Sequence, residues 1–151
     1  MENGNILDEQ ITASSYWSIT HRASNGRLNF TPRDERTGAW SSGNSSFPQW
    51  LQVDFKRSTV ITGISTQGRN YGNNTVANQF VKRYTISASK DGKIFRSYKQ
   101  EETVKEFQGN SDRNTIVHNI FSPPISARFI RVHPTDWNAH ISMRVEFYGC
   151  N

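Results

Sequence analysis

The stretch Ile141-Ser-Met-Arg-Val-Glu-Phe-Tyr148 decides the fold class, because its apolar side chains recur at every second position. Successive side chains of a β-strand point to opposite faces, so this alternation predicts a strand with one face on a core and the other toward solvent. No stretch has the 3.6-residue period of an amphipathic helix. The same period of two appears in residues 51–55, 81–89, 115–121 and 128–132.

Turn signals separate these stretches, as glycine and proline dipeptides do between short strands. About eight short strands at this spacing predict an all-β fold, either a sandwich or a barrel. No linker, repeat or low-complexity tract interrupts the chain, so residues 1–151 are expected to form one domain. The signals are Asn25-Gly26, Asp91-Gly92, Gly109-Asn110, Pro123-Pro124 and His133-Pro134.

The composition excludes several classes of protein. The 151 residues include nine Phe, five Tyr and four Trp, too many large apolar side chains for a disordered chain. No apolar run is long enough for a transmembrane helix, and residues 1–6 lack the basic start and apolar stretch of a signal peptide. We therefore expect a globular domain with no membrane-spanning segment.

The net charge of +5 favours anionic partners such as a sulfated glycan, an acidic lipid surface or a nucleic acid. The basic residues are scattered, however, and the densest cluster is Lys82-Arg83, so nucleic acid is not expected. Cys150 is the only cysteine, which excludes an internal disulfide and zinc sites built on cysteine pairs. It is either a free thiol or half of a bridge to a cysteine outside this chain.

Catalytic motifs are absent from the sequence: it contains no HExxH, GxSxG, GxGxxG or P-loop pattern. Asp34-Glu35 stands between Arg33 and Arg36 and is interpreted as a pair of solvated charges. We predict that the protein is not an enzyme. The histidines, which show no metal-ligand spacing and are interpreted as polar surface or turn residues, are His21, His118, His133 and His140.

Several segments, in the right order along the whole chain, resemble the discoidin domain, also called the coagulation factor V/VIII C-type domain. The resemblance implies an eight-stranded antiparallel jelly-roll sandwich whose ligand site is made by loops at one end. It also implies that Cys150 pairs with a cysteine just ahead of Met1, so that the chain is a fragment of a larger extracellular protein. The segments are residues 1–4, 10–15, 49–55, 61–68, 107–110, 127–132 and 140–150.

No cofactor is predicted. Some glycan-binding members of the family hold a structural calcium ion near the first loop, but the acidic ligands expected around Asn29 are not evident. Three N-x-[ST] sequons, at Asn29, Asn44 and Asn73, are about as many as chance supplies. They permit secretion and do not argue for it.

The resemblance implies that three loops and one flanking segment form the ligand site: residues 16–25, 69–79 and 110–114, with residues 40–44 beside them. Trp40 and Trp50 are expected to pack in the core rather than to bind ligand. The candidate ligand-binding residues are Tyr16, Trp17, Ile19, His21, Arg22, Ser41, Arg69, Asn70, Tyr71, Thr75, Asp112 and Arg113.

Family members bind phosphatidylserine membranes, glycans, collagen or growth-factor peptides with this end of the sandwich, so the loops themselves must indicate the ligand. A glycan needs an aromatic face and a few polar groups, which Tyr16, Trp17 or Tyr71 and the basic side chains supply. Membrane insertion needs apolar tips with a basic collar. Trp17, Ile19 and Arg22 suit it, whereas the amide-rich second loop does not.

A peptide ligand is the third alternative, because the first loop is similar in length to that of the neuropilin b-type domain, which captures a C-terminal arginine. Trp17 and His21 fall at the aromatic positions of that site and Ser41 at its threonine. Its acid is replaced by Ser45 and its closing tyrosine by Gln79, which removes the partner of an arginine. We therefore predict a non-catalytic extracellular adhesion or receptor-type module, with a glycan ranked before anionic phospholipid and a protein ligand.

Overall fold

The computed structural model describes residues 1–46, 48–72 and 78–150 and shows an antiparallel all-β fold, which confirms the predicted class. Its only helical elements among these residues are 3-10 turns at Asp8–Gln10, Ile19–His21 and Ala23–Asn25. The strands are β1 Ile11–Ala13, β2 Trp40–Ser41, β3 Leu51–Gln67, β4 Phe80–Ser89, β5 Arg96–Ser97, β6 Lys99–Gln100, β7 Thr103–Val104, β8 Phe107–Gln108, β9 Val117–Asn138 and β10 Ser142–Cys150.

Two long strands connect the layers of the jelly roll. The hydrogen-bonded order is β2-β10-β3-β9-β4-β5, with β1 on β3 and β8 on β4, while β6 and β7 form a separate hairpin. The first part of β3 pairs with β1 and its last part pairs with β10, and the register between β3 and β9 shifts after Asp54 and after Ile61. Strand β9 therefore contains two of the strands expected from the sequence, and β3 continues the strand expected at residues 51–55 as far as Gln67, because backbone pairing continues through the bends.

The core fills the space between the layers with the apolar side chains of alternating positions. Trp40, Ile64, Ile130 and Val145 are fully buried, which confirms the core position expected for Trp40. The same expectation for Trp50 is wrong. Leu51 and Val53 point inward, so Trp50 points outward, where it stacks on the Arg131 guanidinium at 3.9 Å from the ring centroid.

Strand β10 departs from simple alternation at its beginning. Ser142 and Arg144, predicted on the solvent face opposite Met143 and Val145, are buried to 0% and 1% exposure. The loops at this end fold over the outer face of the strand, so both of its faces are covered. A period-two pattern indicates that one face of the strand is buried. It carries no information about whether loops cover the other face.

The Arg144 guanidinium joins three chain segments that are distant in sequence. Its Nε donates to the carbonyl of Gly68 at 2.7 Å, its Nη1 to that of Phe30 at 3.0 Å, and its Nη2 to that of Arg113 at 2.9 Å. A fourth bond runs from Nη2 to Asn114 Oδ1 at 2.7 Å. Burial lowers the pKa of Arg144 to about 10, which leaves the group charged at neutral pH.

We expect Arg144→Met to lower the free energy of unfolding by about 3 kcal/mol or more, because buried carbonyls would lose their donors. The control, Arg83→Met, removes an exposed arginine paired with Glu106 at 3.6 Å and should cost less than about 1 kcal/mol. Urea denaturation measures both values. Equal losses in the two variants would contradict the role assigned to Arg144.

Candidate functional site

The first loop, residues 16–25, is fixed to strand β2 by hydrogen bonds on its N-terminal side. The amide of Trp17 donates to the carbonyl of Ser41 at 2.9 Å, and the indole of Trp40 donates to the carbonyl of Ser15 at 2.8 Å. Within the loop, Asn25 Nδ2 donates to the carbonyl of Thr20 at 2.8 Å. The buried Trp40 thus sets the position of the exposed Trp17, which stands above it at the end of the sandwich.

The base of the second loop is fixed by a close approach to residue 38. The amide of Asn70 donates to the carbonyl of Gly38 at 3.1 Å, and the amide of Arg69 donates to the carbonyl of Gln79 at 2.9 Å. A Cβ at Gly38 would collide with the carbonyl oxygen of Asn70, so only glycine lets these two segments pack at this distance. The second loop therefore begins beside the first.

A pocket of about 260 Å³ opens between these loops, which we call the loop-end pocket. Four of the residues that line it were candidates from the sequence: Trp17, His21, Ser41 and Arg69. Gln79 and His140 were not among the candidate residues, although Gln79 falls at the closing-tyrosine position that the neuropilin resemblance implied. His140 precedes the first residues of β10, and its place at the loop end follows only from the course of that strand. The complete lining is Trp17, His21, Ser41, Arg69, Gln79 and His140.

Arg69 is the half-buried cation of the loop-end pocket. Its guanidinium carbon lies 4.2 Å from the ring centroid of Tyr71, and its Nη1 donates to Gln79 Oε1 at 3.3 Å. The same Oε1 accepts a bond from Ser142 Oγ at 2.8 Å, and that hydroxyl lies 2.6 Å from Ser41 Oγ. Burial lowers the pKa of Arg69 and raises the pKa of Tyr71. The cation is thus positioned before any ligand arrives.

Two histidines line the same pocket. Nδ1 of His21 lies 2.9 Å from Ser18 Oγ and 3.0 Å from Thr20 Oγ1. Burial is the largest cause that lowers the pKa of His21, followed by electrostatic interactions with Arg69 and His140. Because its pKa is lowered from the usual value of 6.5, His21 is neutral at pH 7.4.

His140 is held on both sides of its ring. Its Nε2 lies 2.8 Å from the carbonyl oxygen of Ser42, so that nitrogen carries the proton, and Ser45 Oγ lies 3.0 Å from Nδ1. The ring meets that of Trp17 edge to face, with centroids 5.5 Å apart. This contact holds the Trp17 indole at the mouth of the pocket.

Three exposed apolar side chains form the tip of the first loop. Tyr16, Trp17 and Ile19 are 49%, 62% and 59% exposed, so Trp17 does not belong to the core. Nε of Arg22 donates to the carbonyl of Ile19 at 2.8 Å, which ties this basic side chain to the loop that carries the tip. The tip offers an aromatic face to a sugar or an insertion point to a membrane.

A second, wider groove of about 570 Å³ adjoins the loop-end pocket, and Arg69 lines both. Asn70 and Tyr71 lie in this groove rather than in the pocket. The opposite wall is the turn at Asp34 and Glu35, whose positive φ angles of 48° and 60° close a two-residue hairpin. Both carboxylate residues are exposed, as the interpretation of solvated charges expects.

The third loop contributes less directly than expected. The Asp112 carboxylate accepts bonds from the amides of Asn114 and Thr115 and from Thr115 Oγ1, which lowers its pKa and occupies it within its own turn. Arg113 reaches the other loops, with its guanidinium carbon 5.7 Å from the ring centroid of Tyr71. Thr75 and the sequon at Asn73 lie outside the described residues.

A calcium ion beside Asn29 does not fit the residues there. Asn29 Oδ1 accepts a bond from Gln67 Nε2 at 3.1 Å, and its Nδ2 donates to Glu2 at 3.0 Å. Across the described part of the chain, no three His, Cys, Asp or Glu side chains are grouped to hold a metal ion. Hard cations prefer several free oxygen ligands, whereas the Asn29 side chain is already engaged by Gln67 and Glu2.

Comparison with known proteins agrees with this architecture: residues 10–147 match the F5/8 type C domain family. The chain is an F5/8 type C domain. Domains of this family are generally non-catalytic binding modules. Within the described residues, no helix has the length and apolarity that crossing a bilayer requires.

Two curated relatives contain a similar segment within much longer proteins. Canine coagulation factor VIII is 42% identical over 154 residues, which cover the whole of this chain and 6% of the relative. Mouse neuropilin-1 is 35% identical over 150 residues, which cover 99% of this chain and 16% of the relative. The chain thus corresponds to a small part of either protein.

Solved structures give the same fold. Discoidin II from Dictyostelium discoideum superimposes with a TM-score of 0.81 at 30% identity, over 92% of this chain and 53% of that one. The family 32 carbohydrate-binding module of NanJ from C. perfringens, solved in complex with galactose, gives a TM-score of 0.62 at 19% identity, over 93% and 91% of the two chains. The second likeness supports the fold alone.

The loop-end pocket coincides with the arginine site that the neuropilin resemblance implied, but its charge is opposite. The position implied for the acid holds Ser45, whose hydroxyl contacts His140. The described residues that line the pocket include no carboxylate, but they include the Arg69 guanidinium. A guanidinium ligand would meet a cation there instead of a partner, which disfavours arginine capture.

We expect Arg69→Gln to raise the pKa of His21 toward 6.5 without reaching it, because burial, the largest cause of the lowering, remains. An NMR titration of the imidazole signals measures the pKa. Arg83→Gln, a charge removal on β4, should leave the value unchanged. An unaltered His21 pKa in Arg69→Gln would show that the two side chains do not interact across the pocket.

Proposed function

We propose that this domain is a non-catalytic extracellular recognition module for adhesion or receptor-type binding, and that its loop-end pocket captures an anionic glycan, sulfated glycans included. One observation carries the proposal: the exposed Trp17 ring stands at the mouth of a pocket whose half-buried cation is Arg69 and whose described lining has no carboxylate. The aromatic face of Trp17 and the fixed cation of Arg69 together suit a sugar that bears an acidic group.

The described contacts suggest how such a sugar binds. Its C–H patch packs on the indole of Trp17, which His140 already holds in place. Its sulfate or carboxylate accepts charge-assisted hydrogen bonds from Arg69, which are stronger than neutral ones. Gln79 and Ser41 supply further polar contacts to hydroxyl groups. The net charge of +5 adds long-range attraction for the same ligands.

His21 makes the proposed binding dependent on pH. Its lowered pKa leaves it neutral at pH 7.4, and protonation adds a second positive charge near Arg69. An anionic ligand favours the protonated form, so affinity should increase as the pH falls and His21 gains its proton. This pH dependence of affinity is expected for an acidic sugar and not for a neutral one.

A glycan array with follow-up calorimetry tests the proposal. We expect Trp17→Ala and Arg69→Gln each to weaken binding of an acidic glycan by roughly tenfold or more, because each removes one of the two main contacts. Tyr148→Ala and Arg83→Gln are controls of the same type at exposed positions away from the pocket and should retain the affinity. Unchanged binding in both pocket variants would place the glycan site elsewhere.

A second candidate function, binding to anionic phospholipid membranes, is favoured by the exposed tip of the first loop. Tyr16, Trp17 and Ile19 are all about half exposed or more, and Arg22 lies on the same loop. Such a tip can insert into the headgroup region while basic side chains meet anionic lipids. In the described part of the second loop, Asn70 and Tyr71 line the second groove rather than the exposed tip.

Ile19→Ala separates the two candidates, because Ile19 belongs to the tip but does not line the pocket. If the domain inserts into membranes, this variant should reduce sedimentation with phosphatidylserine vesicles several-fold, since an exposed isoleucine contributes about 2 kcal/mol on burial. Its glycan affinity should not change. Absence of sedimentation by the unaltered domain with phosphatidylserine vesicles would exclude the membrane function.

A further inference from the structure

We propose a second anion-binding site at the opposite end of the sandwich, which takes a sulfated polysaccharide chain. The site is a groove of about 350 Å³ at the end of β4, which we call the far-end groove. Ala88 and Ala127 form its floor, and Lys90, Ile94 and Arg96 stand around it. It does not depend on the function proposed for the loop-end pocket.

Strand β4 fixes the separation between the two sites. Gln79, which lines the loop-end pocket, immediately precedes the strand, and Lys90, which lines the far-end groove, immediately follows it. Ten residues of extended chain span about 33 Å. The two sites therefore cannot share one small ligand.

The far-end groove is rimmed by cations without ionic partners. Lys90 and Arg96 are exposed and make no ion pair with any described residue, and the same holds for the neighbouring Lys93. Arg57 adds a fourth exposed positive charge near the floor, because it lies two residues before Thr59, which pairs with Ala127. Lys90 and Arg96 thus line the groove, and Lys93 and Arg57 add positive charge near it.

The one carboxylate in the lining is turned into its own loop. Oδ1 of Asp91 accepts bonds from the amides of Lys93 and Ile94 at 2.8 and 3.0 Å and from Ser89 Oγ at 3.0 Å. These bonds lower the pKa of Asp91 to about 2. Its negative charge is therefore partly balanced by the amides it binds, and it shapes the turn that presents Lys90 and Lys93.

The shape of the site favours a chain over a membrane. A concave floor between separated cations accepts a linear polymer whose sulfates reach both rims through charge-assisted bonds. Membrane insertion needs several protruding apolar side chains, and Ile94, at 66% exposure, is the only large apolar side chain among the described lining residues. A single exposed isoleucine instead suits the C–H face of a sugar ring.

Two variants matched in charge test the proposal. Lys90→Gln/Arg96→Gln removes one lysine and one arginine beside the groove, and Lys82→Gln/Arg83→Gln removes the same pair from exposed positions near the other end of β4. We expect the groove variant to raise the Kd for heparin roughly tenfold or more and the control to change it by less than about twofold. Thermal unfolding confirms that both variants fold.

Each alternative has its own result. Equal weakening by the two variants would overturn the proposal, since only diffuse charge would then attract heparin. Unchanged heparin affinity in the groove variant would also overturn it, as would a loss seen only in Arg69→Gln. If the groove variant no longer binds phosphatidylserine vesicles but still binds heparin, the groove is a membrane contact and the proposal fails. A tenfold loss of heparin affinity confined to the groove variant, together with weaker binding of desulfated heparin to the unaltered domain, would support it.

Discussion

The ligand end of this domain depends on the four hydrogen bonds that the Arg144 guanidinium makes inside the protein. Through them one side chain of β10 holds the carbonyls of Gly68, Phe30 and Arg113, which belong to segments far apart in the sequence. A buried guanidinium is costly unless its donors are satisfied, and here all the acceptors come from backbone or amide oxygens instead of a carboxylate. The arrangement fixes the loop bases without placing a negative charge beside the ligand site.

The loops above Arg144 carry a positively charged site, because no carboxylate among the described lining residues neutralises Arg69. Arg69 stacks on Tyr71 and bonds to Gln79, a neutral acceptor, so its charge is oriented but not neutralised. His21 is kept neutral near physiological pH by burial and by that charge. The family fold shared with discoidin II supplies the framework, and the charge of the pocket comes from these few side chains.

Much of the fold could be predicted from local pattern. Alternation in the strands and the turn dipeptides gave the all-β class, and the family resemblance gave the jelly roll and the end of the sandwich that carries the loops. Trp17, His21, Ser41 and Arg69 were candidates, and the structure brings them together around one pocket. Asp112 was also a candidate, but its carboxylate is occupied within its own turn. It accepts hydrogen bonds from the amides two and three residues later in the chain, and these bonds form in preference to contacts with a ligand.

The sequence by itself determined the period of the strands, the absence of known catalytic motifs and the positive net charge, because these are properties of residue order and composition. Only the tertiary structure decided that Arg144 is buried, that His140 joins the loop-end pocket, and that Lys90 and Arg96 flank a groove at the other end. The reason is geometric. Which loops cover a strand, and which strand ends meet, depends on chain segments that are distant in sequence, and local periodicity carries no information about those contacts.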